Sequence, residues 1–166
     1  RRKAGSVGIP MLGTELRLAG DESRPAEGGE LSIRGPHVFS GYLGLPEETS
    51  RVLQDGWVKT GDLARKDEDG FFHILGRIKE MYISGGENVY PAEVEAVLAT
   101  HPGVLEAAVV GVPDARWGET GVAFIVARPG ANLSTDELSA FLRGRVARFK
   151  QPAELRLLDS LPRNTM

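Results

Sequence analysis

Apolar and polar positions alternate over residues 14–19 and again over 30–34, the period-two signature of strands with one buried face. A polar, Gly- and Pro-containing stretch lies between them, so the pair predicts a hairpin. Residues 37–43 read as a further extended piece. Pro46 opens a short helix reaching Leu53, since proline at the first helical position gives up only an N–H that would have no partner there. Asp55-Gly56-Trp57 turns the chain into a strand over 58–60, and residues 63–67 and 71–75 flank Asp69-Gly70, a dipeptide suited to a left-handed hairpin turn. After Gly76 the pattern changes. An apolar run (Met81, Tyr82, Ile83) leads to Gly85-Gly86, then to a helix from Pro91 with Val94, Val97 and Leu98 at helical spacing. Residues 105–112 and 121–127 are apolar and β-branched, joined by a polar loop over 113–119 that carries Trp117. Ser134 and Glu137 form a capping box for a second helix, with Leu138, Phe141, Leu142 and Val146 as its apolar stripe. Residues 149–152 end it, and 154–158 alternate as an edge strand.

This order predicts an α+β fold in two parts. A small antiparallel, barrel-like β-subdomain occupies residues 1–77, and a compact α+β domain occupies 78–166, with the boundary at 77–79. Composition narrows the function. Of the 166 residues, 20 are Lys or Arg and 23 are Asp or Glu, giving a net charge of −3. The basic residues are scattered and form no stripe, which argues against nucleic acid as a partner. There is no cysteine, so disulfides and thiolate metal sites are excluded and a reducing compartment is permitted. The three histidines, His37, His73 and His101, share no ligand spacing, and no metal site is expected. No run approaches the roughly 20 apolar residues of a membrane-spanning helix.

The densest stretch runs from Gly76-Arg77-Ile78-Lys79 through Ser84-Gly85-Gly86-Glu87-Asn88-Val89 to Pro91 and Glu93. Gly85 and Gly86 permit positive φ and close approach of a ligand to the main chain, though a purely structural hairpin would use them as well. The whole run resembles the core motif of the adenylate-forming acyl-CoA synthetase superfamily, and the acid–CoA ligases in particular. Thr60-Gly61-Asp62, which as a tripeptide would equally serve as a turn or helix cap, resembles that family's ribose-binding motif. Leu161-Pro162-Arg163-Asn164-Thr165-Met166 resembles the start of its terminal motif, whose next residues in the family are Gly and a catalytic Lys.

The resemblance implies an ATP-dependent ligase in which a carboxylic acid and ATP give an acyl-adenylate, and CoA then gives the thioester. It implies that Asp62 and Arg77 bind the ribose of ATP or AMP, two carboxylate oxygens matching a diol. Lys79 stands at the family's hinge; without its neighbours it would be a solvated lysine. Ser84, Gly85 and Gly86 would line the path of the CoA arm, with Glu87 beside the thiol. Trp117, Phe149 and Lys150 would approach CoA, an aromatic and a cation suiting an adenine that carries phosphates. Many relatives have Arg where Gln151 stands. Trp117 could otherwise be a core anchor. Mg2+ would shield the phosphates from ligands outside these residues. By the same resemblance the chain is a C-terminal part of a cytoplasmic enzyme whose large N-terminal domain is its partner, inactive alone. An adenylation domain loading a carrier-protein thiol and a non-catalytic nucleotide- or partner-binding module are the rival readings.

Overall fold

The computed structural model describes residues 3–19 and 28–163, and the chain divides into two compact units, 1–79 and 80–166. The fold is α+β, with two five-stranded sheets, one per unit.

In the first unit, β1 (Glu15–Ala19) pairs antiparallel with β2 (Gly29–Arg34) in the predicted hairpin. Its loop lies outside the described residues. α1 (Pro46–Val52) starts at the predicted proline and leads into the short β3 (Leu53–Gln54). Residues 37–43 form turns and bends instead of a strand, and Phe39 stacks against Tyr42 at 4.9 Å. The largest departure is β4, which runs unbroken from Trp57 to Lys66 and so passes through the Thr60-Gly61-Asp62 motif expected to be a turn. Between the pairs Ser32↔Lys59 and Glu30↔Leu63 two steps on β2 are matched by four on β4. Gly61, at φ +72°, takes up that bulge and lets the strand continue. β5 (Phe72–Arg77) returns antiparallel and places Arg77 directly across from Asp62.

The turn between β4 and β5 is built around Asp67. Its Oδ1 accepts the N–H groups of Asp69 (3.0 Å) and Phe71 (2.9 Å), and its Oδ2 meets Lys3 Nζ at 2.6 Å and His73 Nε2 at 2.8 Å. The core is thin: Leu31, Ala64 and Phe72 are buried, with Leu16, Leu18 and Ile33 packed against them.

The second unit is organised on two long strands. β6 (Tyr82–Ser84) and β7 (Glu87–Val89) form a tight hairpin over Gly85 (φ +60°) and Gly86 (φ +87°), the positive pair that a type I′ turn requires. α2 (Pro91–Ala99) follows, with Val94 and Leu98 fully buried. β8 (Val104–Asp114) and β9 (Gly118–Ala127) are joined by Ala115-Arg116-Trp117 alone, so the polar loop expected over 113–119 is mostly strand. α3 (Thr135–Leu142) is capped by Ser134, whose Oγ accepts the Glu137 N–H at 3.2 Å. It stops at Leu142, short of the expected end. Gly144, at φ +78°, turns the chain, and both Arg145 and Val146 donate back to the Leu142 carbonyl. Val146 is therefore buried from beyond the helix. A one-turn 3-10 helix, Arg148–Lys150, leads to β10 (Glu154–Leu158).

β8 covers one edge of β9 from end to end. The other edge receives β6 at Gly118 and β10, in parallel, from Val122 onward. A short gap, Glu119 to Gly121, lies between those two partners. The core joins Tyr82, Val89, Val94, Leu98, Val109, Ile125, Leu138 and Leu142. Each fully buried leucine there contributes about 1.5–3 kcal/mol.

Candidate functional site

A cavity of about 730 Å³ opens in the second unit beside the gap in the β9 edge. Ser84, Gly85 and Glu87 come to it from the glycine hairpin, Trp117 from the β8–β9 connection, and Phe149 from the 3-10 helix. Five of the residues singled out in the sequence are thus brought to one place. Gly86 and Lys150 are not among its lining residues. Lys150 turns toward α2, where its Nζ donates to both carboxylate oxygens of Glu93 at 2.9 and 2.7 Å. The cations that do line the cavity are Arg116 and Arg148, which sequence reasoning passed over. Each adjoins one of the two flagged aromatics in sequence, which was the available signal.

The hairpin and the Trp117 connection hold each other. Gly85 donates its N–H to the Trp117 carbonyl at 2.9 Å, and a Cβ on Gly85 would meet the indole at 3.0 Å. Glycine is thus demanded here by positive φ and by the ring lying on its Cα. Glu119 supplies a carboxylate oxygen to the Ile83 N–H at 2.8 Å, a side chain standing where a neighbouring strand would offer a carbonyl. On the far side of Trp117, Asp114 Oδ1 accepts the N–H groups of Arg116 and Trp117, both at 2.8 Å. Those two bonds, Trp117 first, hold the Asp114 carboxyl below its usual range. Trp117 itself is half exposed, with the Arg116 guanidinium 4.7 Å from its ring centre. It is a cavity wall and not a core anchor.

Glu95 lies in α2. Its carboxylate crosses to β8 and accepts the Val109 N–H at 2.8 Å, and burial raises its pKa, with Glu80 adding to the rise.

In the first unit, Asp62 and Arg77 form a cross-strand ion pair, Nε to Oδ1 at 2.7 Å. Arg77 also reaches the Thr60 carbonyl at 3.4 Å, and the Thr60 hydroxyl accepts the Asp62 N–H at 3.0 Å. The pairing holds the carboxylate in a fixed orientation. Lys79 lies in a one-turn 3-10 helix, Ile78–Glu80, instead of on a strand end, and is exposed. Among the described residues no group of three or more His, Asp or Glu lies together as a metal site, and no helix is long and apolar enough to cross a membrane.

Residues 93–165 match the family model of the AMP-binding enzyme C-terminal domain. Over 163 residues the chain is 50% identical to a feruloyl-CoA synthase of an Amycolatopsis species, covering 96% of this chain and 33% of that protein. It is 43% identical over 170 residues to a long-chain-fatty-acid–CoA ligase of Bacillus subtilis, covering all of this chain and 30% of that protein. Among solved structures, the o-succinylbenzoate CoA synthetase of Bacillus subtilis in complex with its acyl-adenylate intermediate superposes with a TM-score of 0.89 at 41% identity. That match covers 98% of this chain and 34% of the other. The chain spans about a third of the length of the relatives it matches.

Proposed function

From a chain that carries the AMP-binding enzyme C-terminal domain over residues 93–165, we infer that it works as part of an ATP-dependent acid–CoA ligase. In the proposed reaction a carboxylate oxygen attacks the α-phosphorus of ATP and pyrophosphate leaves. The thiol sulfur of CoA then attacks the acyl carbonyl, and AMP departs. The residues of this chain bind and orient these reactants. In the first step the Asp62 carboxylate, fixed by Arg77, accepts from the ribose hydroxyls, bonds to a charged acceptor being worth about 1.5–3 kcal/mol. In the second, the Ser84-Gly85 backbone lines the path of the CoA arm and Glu87 stands beside the thiol. Magnesium would shield the phosphates of ATP.

The observation that carries this reading is the single cavity into which the glycine hairpin, Trp117, Phe149, Arg116 and Arg148 all face. CoA has an adenine to stack, phosphates to pair and a long amide arm ending in a thiol. Two aromatics, two guanidiniums and an exposed glycine backbone match those parts in turn. Arg148 takes the phosphate-binding role that the sequence assigned to Lys150. The acid is not specified by these residues, since relatives named for feruloyl and long-chain fatty acyl groups share 50% and 43% identity with the same stretch. We place the boundary between the large domain's β-subdomain and the mobile domain at 77–79, with Lys79 as hinge, and the enzyme in the cytoplasm, where ATP and CoA are found.

The test is titration of the protein with CoA, followed by Trp117 fluorescence. Arg148→Ala should weaken binding by about 10-fold, a loss of one charge-assisted contact. Lys150→Ala should change it less than twofold. The reverse order of effects would return the phosphate role to Lys150, and no saturable binding to the unaltered protein would remove CoA from this cavity.

A further inference from the structure

The Tyr82 hydroxyl has no hydrogen-bond partner, although the residue is only 2% exposed. A buried hydroxyl without a partner costs about 1–3 kcal/mol, and such groups in native structures call for an explanation. Phenylalanine would fill the same space without that cost.

The surroundings of the ring show how deliberately it is placed. Tyr82 lies across two glycines, one on each long strand. A Cβ on Gly111 would land on the Tyr82 Cβ, and a Cβ on Gly121 would land on its hydroxyl. Two adjacent strands thus give up side chains so that the phenol can extend to the far edge of β9. Its hydroxyl ends at Gly121, where an added Cβ would also come within 3.5 Å of Pro152 Cα. Thr120, Gln151 and Ala153, the immediate neighbours of those two residues, line the CoA cavity. The phenol therefore ends one residue behind the cavity wall, at the gap in the β9 edge between its pairings with β6 and β10.

The wall itself is lightly held. Ala153 donates to the Gly121 carbonyl at 2.9 Å, and Gln151 Nε2 reaches the Val146 carbonyl at a long 3.3 Å. Pro152, which also approaches Gly121, has no N–H to offer. Burial, with Glu119's charge adding to it, pushes the Tyr82 hydroxyl up to about 12, so at neutral pH it keeps its proton and is available as a donor.

We propose that the Tyr82 hydroxyl is a reserved hydrogen-bond donor for an amide carbonyl of the CoA arm, reached when the strip 151–153 gives way as the cavity fills. This rests on the reading of the cavity as a CoA site. The arm carries two amides, and a donor held at this point of the wall would fix the depth at which one of them stops. That in turn sets where the thiol lies relative to Glu87.

The experiment compares the unaltered protein with Tyr82→Phe, using CoA, pantetheine and 3′,5′-ADP as separate probes and thermal unfolding as the second readout. The expected result is a split. Tyr82→Phe melts a few degrees higher, having lost an unpaired polar group, yet binds CoA and pantetheine about 3- to 10-fold more weakly while 3′,5′-ADP binds as before. Equal affinity of both proteins for pantetheine overturns the proposal and leaves the CoA site standing. A lower melting temperature with unchanged affinity assigns the hydroxyl to a trapped water and overturns it as well. If neither CoA nor pantetheine binds the unaltered protein, the cavity reading falls, and this donor's ligand with it.

Discussion

At the scale of single residues, carboxylates that fix turns recur throughout the chain. Asp67 gathers two backbone N–H groups, Lys3 and His73 around the β4–β5 turn, and Asp114 does the same for two N–H groups beside Trp117. The Lys3 and His73 contacts, then the Phe71 N–H, hold the Asp67 carboxyl well below the usual carboxylate range. A carboxyl whose pKa is depressed by folding stabilises the fold fully above its unfolded value of about 3.9. That contribution is lost progressively as pH falls below it toward the folded value. Asp67→Asn should therefore lower the urea midpoint at neutral pH and flatten its decline between about pH 4 and pH 2. Parallel acid limbs for the two proteins would remove Asp67 from the pH dependence. The side chain is legible in sequence only as part of Asp69-Gly70's surroundings, because its partner Lys3 lies 64 positions away.

At the scale of elements, periodicity located most strands and the helices α2 and α3, because each has one face against a core, while α1, with no buried residue, was marked by its opening proline. What it missed were the places where glycine, not a side-chain pattern, decides the path. Gly61 carries β4 through a motif that reads as a turn, and Gly144 ends α3 before its apolar spacing runs out. The glycine hairpin and Trp117 were legible because their residue types are unusual in combination. That Arg148 lines the cavity and Lys150 does not was hidden, since Glu93, 57 positions earlier, draws the lysine toward α2. Gly111 gives a direct test of the packing between β8 and β6. Its backbone is unstrained, so what excludes a side chain is Tyr82, its Cβ first and its ring next. Gly111→Ala should cost about 1–3 kcal/mol by overpacking, read as a fall in the urea midpoint at constant slope. An unchanged midpoint would show that the ring can move aside.

At the scale of the whole molecule, the division into units 1–79 and 80–166 gives Lys79 its proposed role. Proline there would fix φ near about −65° and block a rotation about that bond. In the longer ligase proposed above, Lys79→Pro should leave one half-reaction largely intact and suppress the other. Pyrophosphate exchange measures adenylate formation, and CoA-dependent release from preformed acyl-adenylate measures thioester formation. Equal retention of both would make Lys79 an ordinary surface lysine.

The two cores are very unequal, three buried residues in the first unit's cluster and eleven in the second's. Heat should find that difference. Stability grows with apolar burial, and two cores that unfold independently give two cooperative transitions. The first unit should melt at the lower temperature, while the second keeps its structure to a higher one. In differential scanning calorimetry the heat absorbed would then exceed the van't Hoff enthalpy drawn from the sharpness of the transition. A ratio of one would mean that the thin core borrows its endurance from the thick one.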